Sequence, residues 1–451
     1  MQPGRSPKRL MSVTPAQRRP RQARVALALG LVAALVVGCG IGPGASPSTP
    51  SPPAASPGLA IAAVDRVAVD PAEAALAADA INDFGLALLR AAGESSENAV
   101  LSPASVVIAL AMARPGARGT TATQMDAVLR EVASDDHPGW LNALDAALAT
   151  RSGTFKDRSA ADHEVILRIA NSPFAQRGYP WEAAYLAALA ERFGVGVRLV
   201  DYVSATEAAR RLINGWVNER TEDRIPELLE PGMLSTDTRL VLVIAIYLKA
   251  AWLAPFREDA TAPAPFVMAD GTTVDVPTMQ LSADVAYGEG PGWRAVELPY
   301  VGGQLAMTVI VPDDLAAFEA GLDGDAFGAL VDGLAERQVG LALPKFGLET
   351  KVDLATVLAA MGMPDAFSPR IADFGGMTAA DRLFIKAVIH QANIDVDEAG
   401  SEAAAATAVV IDRVSAGIEF KVDRPFLFAL RDVPTGAILF LGHVTEPIIR
   451  N

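Results

Sequence analysis

The apolar positions of this chain keep a helical period through the first third of its body and a strand period afterwards. Ala74 to Ala92 is alanine-rich and carries Ile81, Phe84, Leu88 and Leu89 at helical spacing, which predicts a helix with one buried face. Ser102 and Pro103 stand in cap-then-proline order before a second helix, whose interior, Ala104 to Met112, is almost wholly apolar. A helix with no polar face belongs inside the protein. Thr120 and Thr121 are expected to cap a third helix running to Leu129, and Tyr185 to Phe193 and Glu207 to Arg220 supply two amphipathic ones. Strands follow. Leu240 to Leu248 is an unbroken apolar run, rich in branched side chains and free of Gly and Pro, as a central strand covered on both faces requires. Ala295 to Tyr300 and Gln304 to Val311 flank Val301, Gly302 and Gly303, and Phe426 to Arg431 and Ala437 to Leu441 flank Pro434, Thr435 and Gly436, so both pairs read as hairpins. Helices first and strands later, without a βαβ rhythm, make the fold class α+β.

A second alternating stretch has a different character. His390, Ala392, Ile394 and Val396 fall on one face of a half-buried strand, with Gln391, Asn393 and Asp395 on the other. The alternation resumes past Asp397 to Gly400, where Ser401, Ala403, Ala405, Thr407, Val409 and Ile411 share a parity and are all small or apolar; Glu402 and Asp412 lie on the other. Alanine and glycine are poor strand formers, so this stretch becomes a strand only where its surroundings offer a slot. A segment able to live as a loop and as an inserted strand is the element a bistable device needs.

The N-terminus changes the picture of where the protein works. Residues 1–38 hold seven bases (Arg5, Lys8, Arg9, Arg18, Arg19, Arg21, Arg24) and no acid, and Val25 to Val37 is a thirteen-residue apolar run. That run is shorter than the roughly twenty residues a spanning helix needs. A basic stretch, an apolar run and then small residues are the grammar of a secretory signal, and the ending Val36, Val37, Gly38, Cys39 resembles the bacterial lipobox. The resemblance implies a lipid on the Cys39 sulfur and cleavage just before it; an ordinary signal peptide with a cysteine near the cut is the alternative. The expected organisation is a leader over 1–38, a Pro/Ser/Gly/Ala-rich disordered tether over 39–66 and one large domain over 67–451, lipid-anchored outside the cytoplasm at the cell membrane or surface.

Charge and missing chemistry narrow the function. The formal charge of the 451-residue chain is −15, so the part beyond residue 38, without those seven positive charges, carries −22. Such a body repels phosphate, and nucleic acid is not an expected partner. Cys39 is the only cysteine, and the four histidines (His137, His163, His390, His443) form no zinc-type helical pair. There is no G-x-S-x-G elbow, P-loop or dinucleotide glycine fingerprint, so no cofactor, metal or enzymatic activity is expected.

Several stretches together resemble the serpin family over residues 75 to 451: NAVLSPASVVIALAMARPGARGTT from Asn98, Trp252 with Pro255 and Phe256, LPKF at Leu343 to Phe346, FGGMT at Phe374 to Thr378, EAGSEAAAATAVVI at Glu398 to Ile411, and DRPFLF at Asp423 to Phe428. The resemblance implies three β-sheets, eight or nine helices and an exposed reactive centre loop, in a monomeric inhibitor of serine proteases, or in some members of cysteine proteases. It implies a suicide mechanism, in which the protease serine forms an acyl ester with the loop and the freed loop inserts into the large sheet. The loop hinge falls on Glu398, Gly400, Ser401, Glu402, Ala403, Ala404, Ala405, Ala406 and Thr407. The small residues there suit an inhibitor rather than the alternative, a non-inhibitory member acting as a surface binding protein. The family's spacing from Glu398 puts the scissile bond between Val414 and Ser415, suiting elastase-like or subtilisin-like targets; cleavage after Arg413, before Val414, would suit trypsin-like ones. Ser102, Ser105 and His390 match the family's shutter and Trp252 its breach. Ile244 stands where the family usually has asparagine, which removes one customary partner of His390.

Overall fold

The helix Pro103–Ala113 shows how the pattern becomes structure. Ser102 is its N-cap, with the hydroxyl accepting the Ser105 amide at 3.3 Å, Pro103 occupies the first turn, and every residue of the helix is buried. The structure is a computed structural model and describes residues 58–92, 96–135, 137, 139–158, 160–401 and 417–448. The leader over 1–38, Cys39, the greater part of the expected tether, the hinge residues Glu402 to Thr407, and Arg413, Val414 and Ser415 lie outside the described residues. No helix among the described residues is long and apolar enough to cross a membrane.

The described residues hold nine α-helices and two hydrogen-bonded β networks, the α+β class expected. The larger helices lie where the helical period placed them, at Glu73–Ala92, Ala183–Phe193 and Tyr202–Arg220. The helix Gly119–Val128 starts earlier than its threonines suggested. Arg118 is its N-cap and makes no side-chain cap bond, while the Thr121 hydroxyl instead accepts the amide of Asp373.

The first network runs in the order Gly58–Ala60, Val197–Val200, Asp162–Gln176, Leu240–Ala251, Gly400–Ser401, Val388–Val396, Phe346–Asp353, with Gly153–Lys156 paired on Asp162–Gln176. Leu240–Ala251 is central, as its apolar run predicts. Leu242, Ile244, Ile246, Leu248 and Ala250 enter the main core, whereas Val241, Val243 and Ala245 pack under Tyr202, Ile213, Trp216 and Val217 of the helix Tyr202–Arg220. The second network has nine strands. Its strand Thr273–Gly290 is 18 residues long and pairs with Ala262–Val267, Ala335–Pro344 and Trp293–Pro299 along its length. Two portions are joined through that one strand, which is how the family's three sheets become two networks here. The hairpins expected around Gly302 and Gly436 are both present.

The boundary expected between tether and domain is corrected. Gly58–Ala60, inside the tether assigned to 39–66, forms an antiparallel edge strand on Val197–Leu199. The edge offers unpaired backbone groups, and Gly196 makes room: a Cβ there would lie 2.5 Å from the Ala60 carbonyl oxygen. Arg66 pairs with Asp145 at 2.6 Å and the Val67 amide donates to the Glu191 carbonyl, so the ordered chain begins before residue 67.

Candidate functional site

The central seam of the large sheet is only partly closed. Leu240–Ala251 and Val388–Val396 run parallel and pair directly at one end, where Val388, Ile389, His390 and Gln391 oppose Leu242, Val243, Ile244 and Ala245. At the other end Gly400–Ser401 sits between them, antiparallel to both, with Ser401 opposite Ala250 on one side and Val396 on the other. Between these two points, among the described residues, no ladder pair joins Ile246–Lys249 to Ala392–Asp395. Among the described residues the sheet is therefore unpaired in its middle, a gap in the ladder with Gly400 and Ser401 at its mouth.

Backbone geometry seats the loop there. Gly400 has φ +156°, and a Cβ on it would stand 2.1 Å from the carbonyl oxygen of Ala250, so only glycine lies this close to the neighbouring strand. The Asp397 carboxylate accepts the amides of Ala399 at 2.8 Å and Gly400 at 3.1 Å, and the Asp397 amide donates to the Gly400 carbonyl, closing a tight turn. Burial raises the Asp397 pKa, although those two amides and the Lys345 ammonium oppose the rise.

Glu398 is tied down by charge. Its carboxylate accepts from the Thr261 hydroxyl at 2.6 Å and meets the Lys345 ammonium at 2.7 Å. Burial on its own would raise this carboxyl; the bonds from Lys345 and Thr261 outweigh it and hold the pKa below the ordinary glutamate value.

Trp252 lines the same mouth. Its indole N–H donates to the Asp397 carbonyl at 2.9 Å and its amide to the Ala399 carbonyl. Its ring lies flat on Tyr300, with centroids 4.4 Å apart and planes 13° off parallel. The Tyr300 hydroxyl in turn lies 2.7 Å from that of Ser401, a side chain only 1% exposed.

The closed end is built differently. The Ser102 amide donates to His390 Nε2 at 3.1 Å, so the imidazole accepts at that nitrogen and its proton resides on Nδ1. The residue is 0% exposed, and burial pushes its pKa down to about 4. Asn171, opposite Ile244 on the other neighbouring strand, donates its side-chain amide to the Ser105 carbonyl at 3.0 Å. Among the described residues, His390 Nδ1, Ser105 Oγ and Asn171 Oδ1 are buried without a hydrogen-bond partner. The apolar Ile244 stands between His390 and Asn171 in the ladder, so no side-chain bond crosses the seam through it.

The structure thus brings Glu398, Gly400, Ser401 and Trp252 together at the mouth, and Ser102, Ser105 and His390 at the closed end. Lys345, Thr261, Tyr300, Asp397 and Asn171 were not singled out from sequence. Lys345 lies inside the LPKF stretch, and Asn171 is an amide in an otherwise mostly apolar strand end, which are the signals available for those two. Among the described residues no group of three or more His, Cys, Asp or Glu side chains is arranged to hold a metal.

Comparison with known proteins bears on the family and the fold. The family model described as Serpin (serine protease inhibitor) matches residues 79–447. The chain is 35% identical over 379 residues to the leukocyte elastase inhibitor of Equus caballus, covering 81% of this chain and 97% of that one. It is 36% identical over 376 residues to an uncharacterized serpin-like protein of Thermococcus kodakarensis, covering 82% of this chain and 85% of the relative. Among solved structures, the thermophilic serpin tengpin in its native state superposes with a TM-score of 0.74 at 25% identity, over 85% of this chain and 96% of tengpin. Uncleaved ovalbumin does so with a TM-score of 0.72 at 28% identity, over 82% of this chain and 99% of ovalbumin. A family match across most of the chain, relatives of this identity and a shared architecture together establish that the chain belongs to the serpin family and has the serpin fold.

Proposed function

We propose that the protein is a suicide inhibitor of serine endopeptidases, elastase-like or subtilisin-like, and not itself an enzyme. The observation that carries this reading is the gap between Ile246–Lys249 and Ala392–Asp395 with Gly400–Ser401 already in its mouth. The likeness to leukocyte elastase inhibitors supports the choice of protease class.

The chemistry is an acyl transfer that stops halfway. The protease serine Oγ attacks the carbonyl carbon of Val414, the bond to the Ser415 nitrogen breaks, and the new amine takes a proton as the start of a C-terminal fragment whose strands Ile418–Lys421, Phe426–Asp432 and Ile438–Val444 stay paired in the second network. Val414 stays esterified to the protease, and residues from Glu402 onward are free to move. Continuing the register that Ser401 starts sets Ala403 opposite Leu248 and Ile394, Ala405 opposite Ile246 and Ala392, Thr407 opposite Ile244 and His390, and Val409 opposite Leu242 and Val388. Apart from His390, the partners in that list are apolar, inward side chains of both strands. Burying Val409 and Ile411 contributes roughly 1.5 to 3 kcal/mol each, and the loop gains backbone pairing on both sides. The uncleaved form is then a kinetic trap, and insertion displaces the protease before water reaches the ester.

Incubation of the protein with elastase, subtilisin and trypsin tests this directly on denaturing gels. A detergent-stable adduct near the summed mass is expected; loop cleavage without adduct points to a non-inhibitory surface binding protein, and turnover without consumption to a hydrolase. Mass spectrometry of the C-terminal fragment, separated under denaturing conditions, locates the bond, with Ser415 as its first residue, or Val414 if cleavage follows Arg413. Anchoring outside the cytoplasm through a lipid on Cys39 belongs to the same proposal, and is tested by incorporation of labelled fatty acid that Cys39→Ala abolishes.

A further inference from the structure

The inward side of the hinge ends on a phenol that loop insertion does not by itself require. Tyr300 is held on three sides. Its ring is stacked on Trp252, its amide donates to the Leu305 carbonyl, and its carbonyl accepts the Gly303 amide in the turn between two strands of the second network. A backbone bridge also joins Tyr300 to Trp252, and the Val301 amide donates to the Ala251 carbonyl, on the strand that flanks the gap. The phenol oxygen is therefore a fixed point belonging to one sheet and aimed at the mouth of the gap in the other. Its partner there is the hydroxyl of Ser401, the first loop residue facing the core. Alanine at 401 would keep the Cβ and lose the oxygen, so the hydroxyl pair adds direction that packing alone does not.

We propose that Tyr300 is a docking post for the reactive loop: its hydroxyl holds Ser401 in register in the uncleaved protein, so insertion starts from a seated residue and outpaces deacylation. Tyr300 is thus a positioning residue, acting through Ser401 and touching neither the scissile bond nor the protease. The functional half of this inference rests on the trapping mechanism above; the seating half does not.

The test uses the full chain and three substitutions. Tyr300→Phe keeps the ring on Trp252 and removes only the hydroxyl, Ser401→Ala removes the other partner, and Ser401→Thr keeps a hydroxyl. In the intact protein, hydrogen exchange in peptides spanning 397–401 is expected to quicken about fivefold in Tyr300→Phe and in Ser401→Ala, the change matching one net hydrogen bond. The double variant should be no faster than either single one, and Ser401→Thr should resemble the parent. With elastase, the moles of inhibitor consumed per mole of enzyme should rise by about the same factor, while the initial rate of loop cleavage stays within about twofold, a split that a general folding defect would not give. Unchanged exchange in a folded Tyr300→Phe variant, or additive effects in the double variant, overturns the docking post. If the parent protein forms no adduct with elastase, subtilisin or trypsin, the trapping mechanism falls, and the exchange measurements still decide whether Tyr300 seats the loop.

Discussion

The two ends of the central seam are held by different physics. At the mouth, each contact to the loop is directional and hydrogen-bonded: the Asp397 turn, Glu398 on Lys345 and Thr261, Trp252 on the Asp397 carbonyl, Ser401 on Tyr300. At the closed end the strands are joined by four ladder pairs, and the polar side chains there are bonded to residues at the start of the helix Pro103–Ala113 instead of across the seam. The lesson is a division of labour. The mouth specifies which loop residue goes where, and the closed end resists parting through its four ladder pairs.

The largest effect should come from attacking the seat. Gly400→Val drives a branched side chain into the Ala250 carbonyl, so the loop cannot enter, and adduct formation should fall by at least about tenfold in favour of simple cleavage. The nicked variant should also fail to melt later than the intact one. Full adduct yield from Gly400→Val would show that the mouth does not govern insertion.

Next comes the charge at the mouth. Lys345→Met leaves the Glu398 carboxylate largely buried with the Thr261 hydroxyl as its remaining side-chain partner, and should lower the unfolding free energy of the intact protein by about 2 kcal/mol in denaturant titration.

The closed end should respond to pH. His390 has a folded-state pKa near 4 against an ordinary value of 6.5, so the stability tied to its neutral form is complete above pH 6.5 and is lost as pH falls toward 4. At pH 5 the loss amounts to about 2 kcal/mol relative to neutral pH. His390→Phe should flatten this part of the stability profile. An unaltered profile in that variant would assign the acid sensitivity elsewhere.

The smallest and sharpest test is Ile244→Asn. It supplies an amide next to the unpartnered Nδ1 of His390 and Oδ1 of Asn171, and a bond across the seam should slow spontaneous loop insertion on warming by about fivefold. Faster insertion would mean that the apolar Ile244 is itself the stronger lock.

What the sequence revealed and what it hid follow the reach of the forces involved. Period and composition act locally, so the buried helix Pro103–Ala113, the central strand and the inward face of Ser401 could all be read from neighbours along the chain. The partners of the hinge could not. Thr261 lies 137 residues from Glu398 and Tyr300 lies 101 from Ser401, and only the joining of the two networks brings them together. The strand Gly58–Ala60 escaped for a related reason: its composition cannot make a core, yet an edge needs only backbone groups and a glycine beneath it.

The gap in the seam also sets a distance. Under the proposed mechanism, Glu402 to Ala405 slide into it before any existing pair must break, because Ala406 is the first residue to meet the closed ladder at Ala245 and Gln391. Four residues of strand correspond to a travel of roughly 13 Å. Under that mechanism the loop advances that far before the strands must part, and only then does the sheet demand work. Locking the closed end would therefore halt the loop at Ala405 and leave the esterified enzyme on the residues beyond it, still outside the sheet.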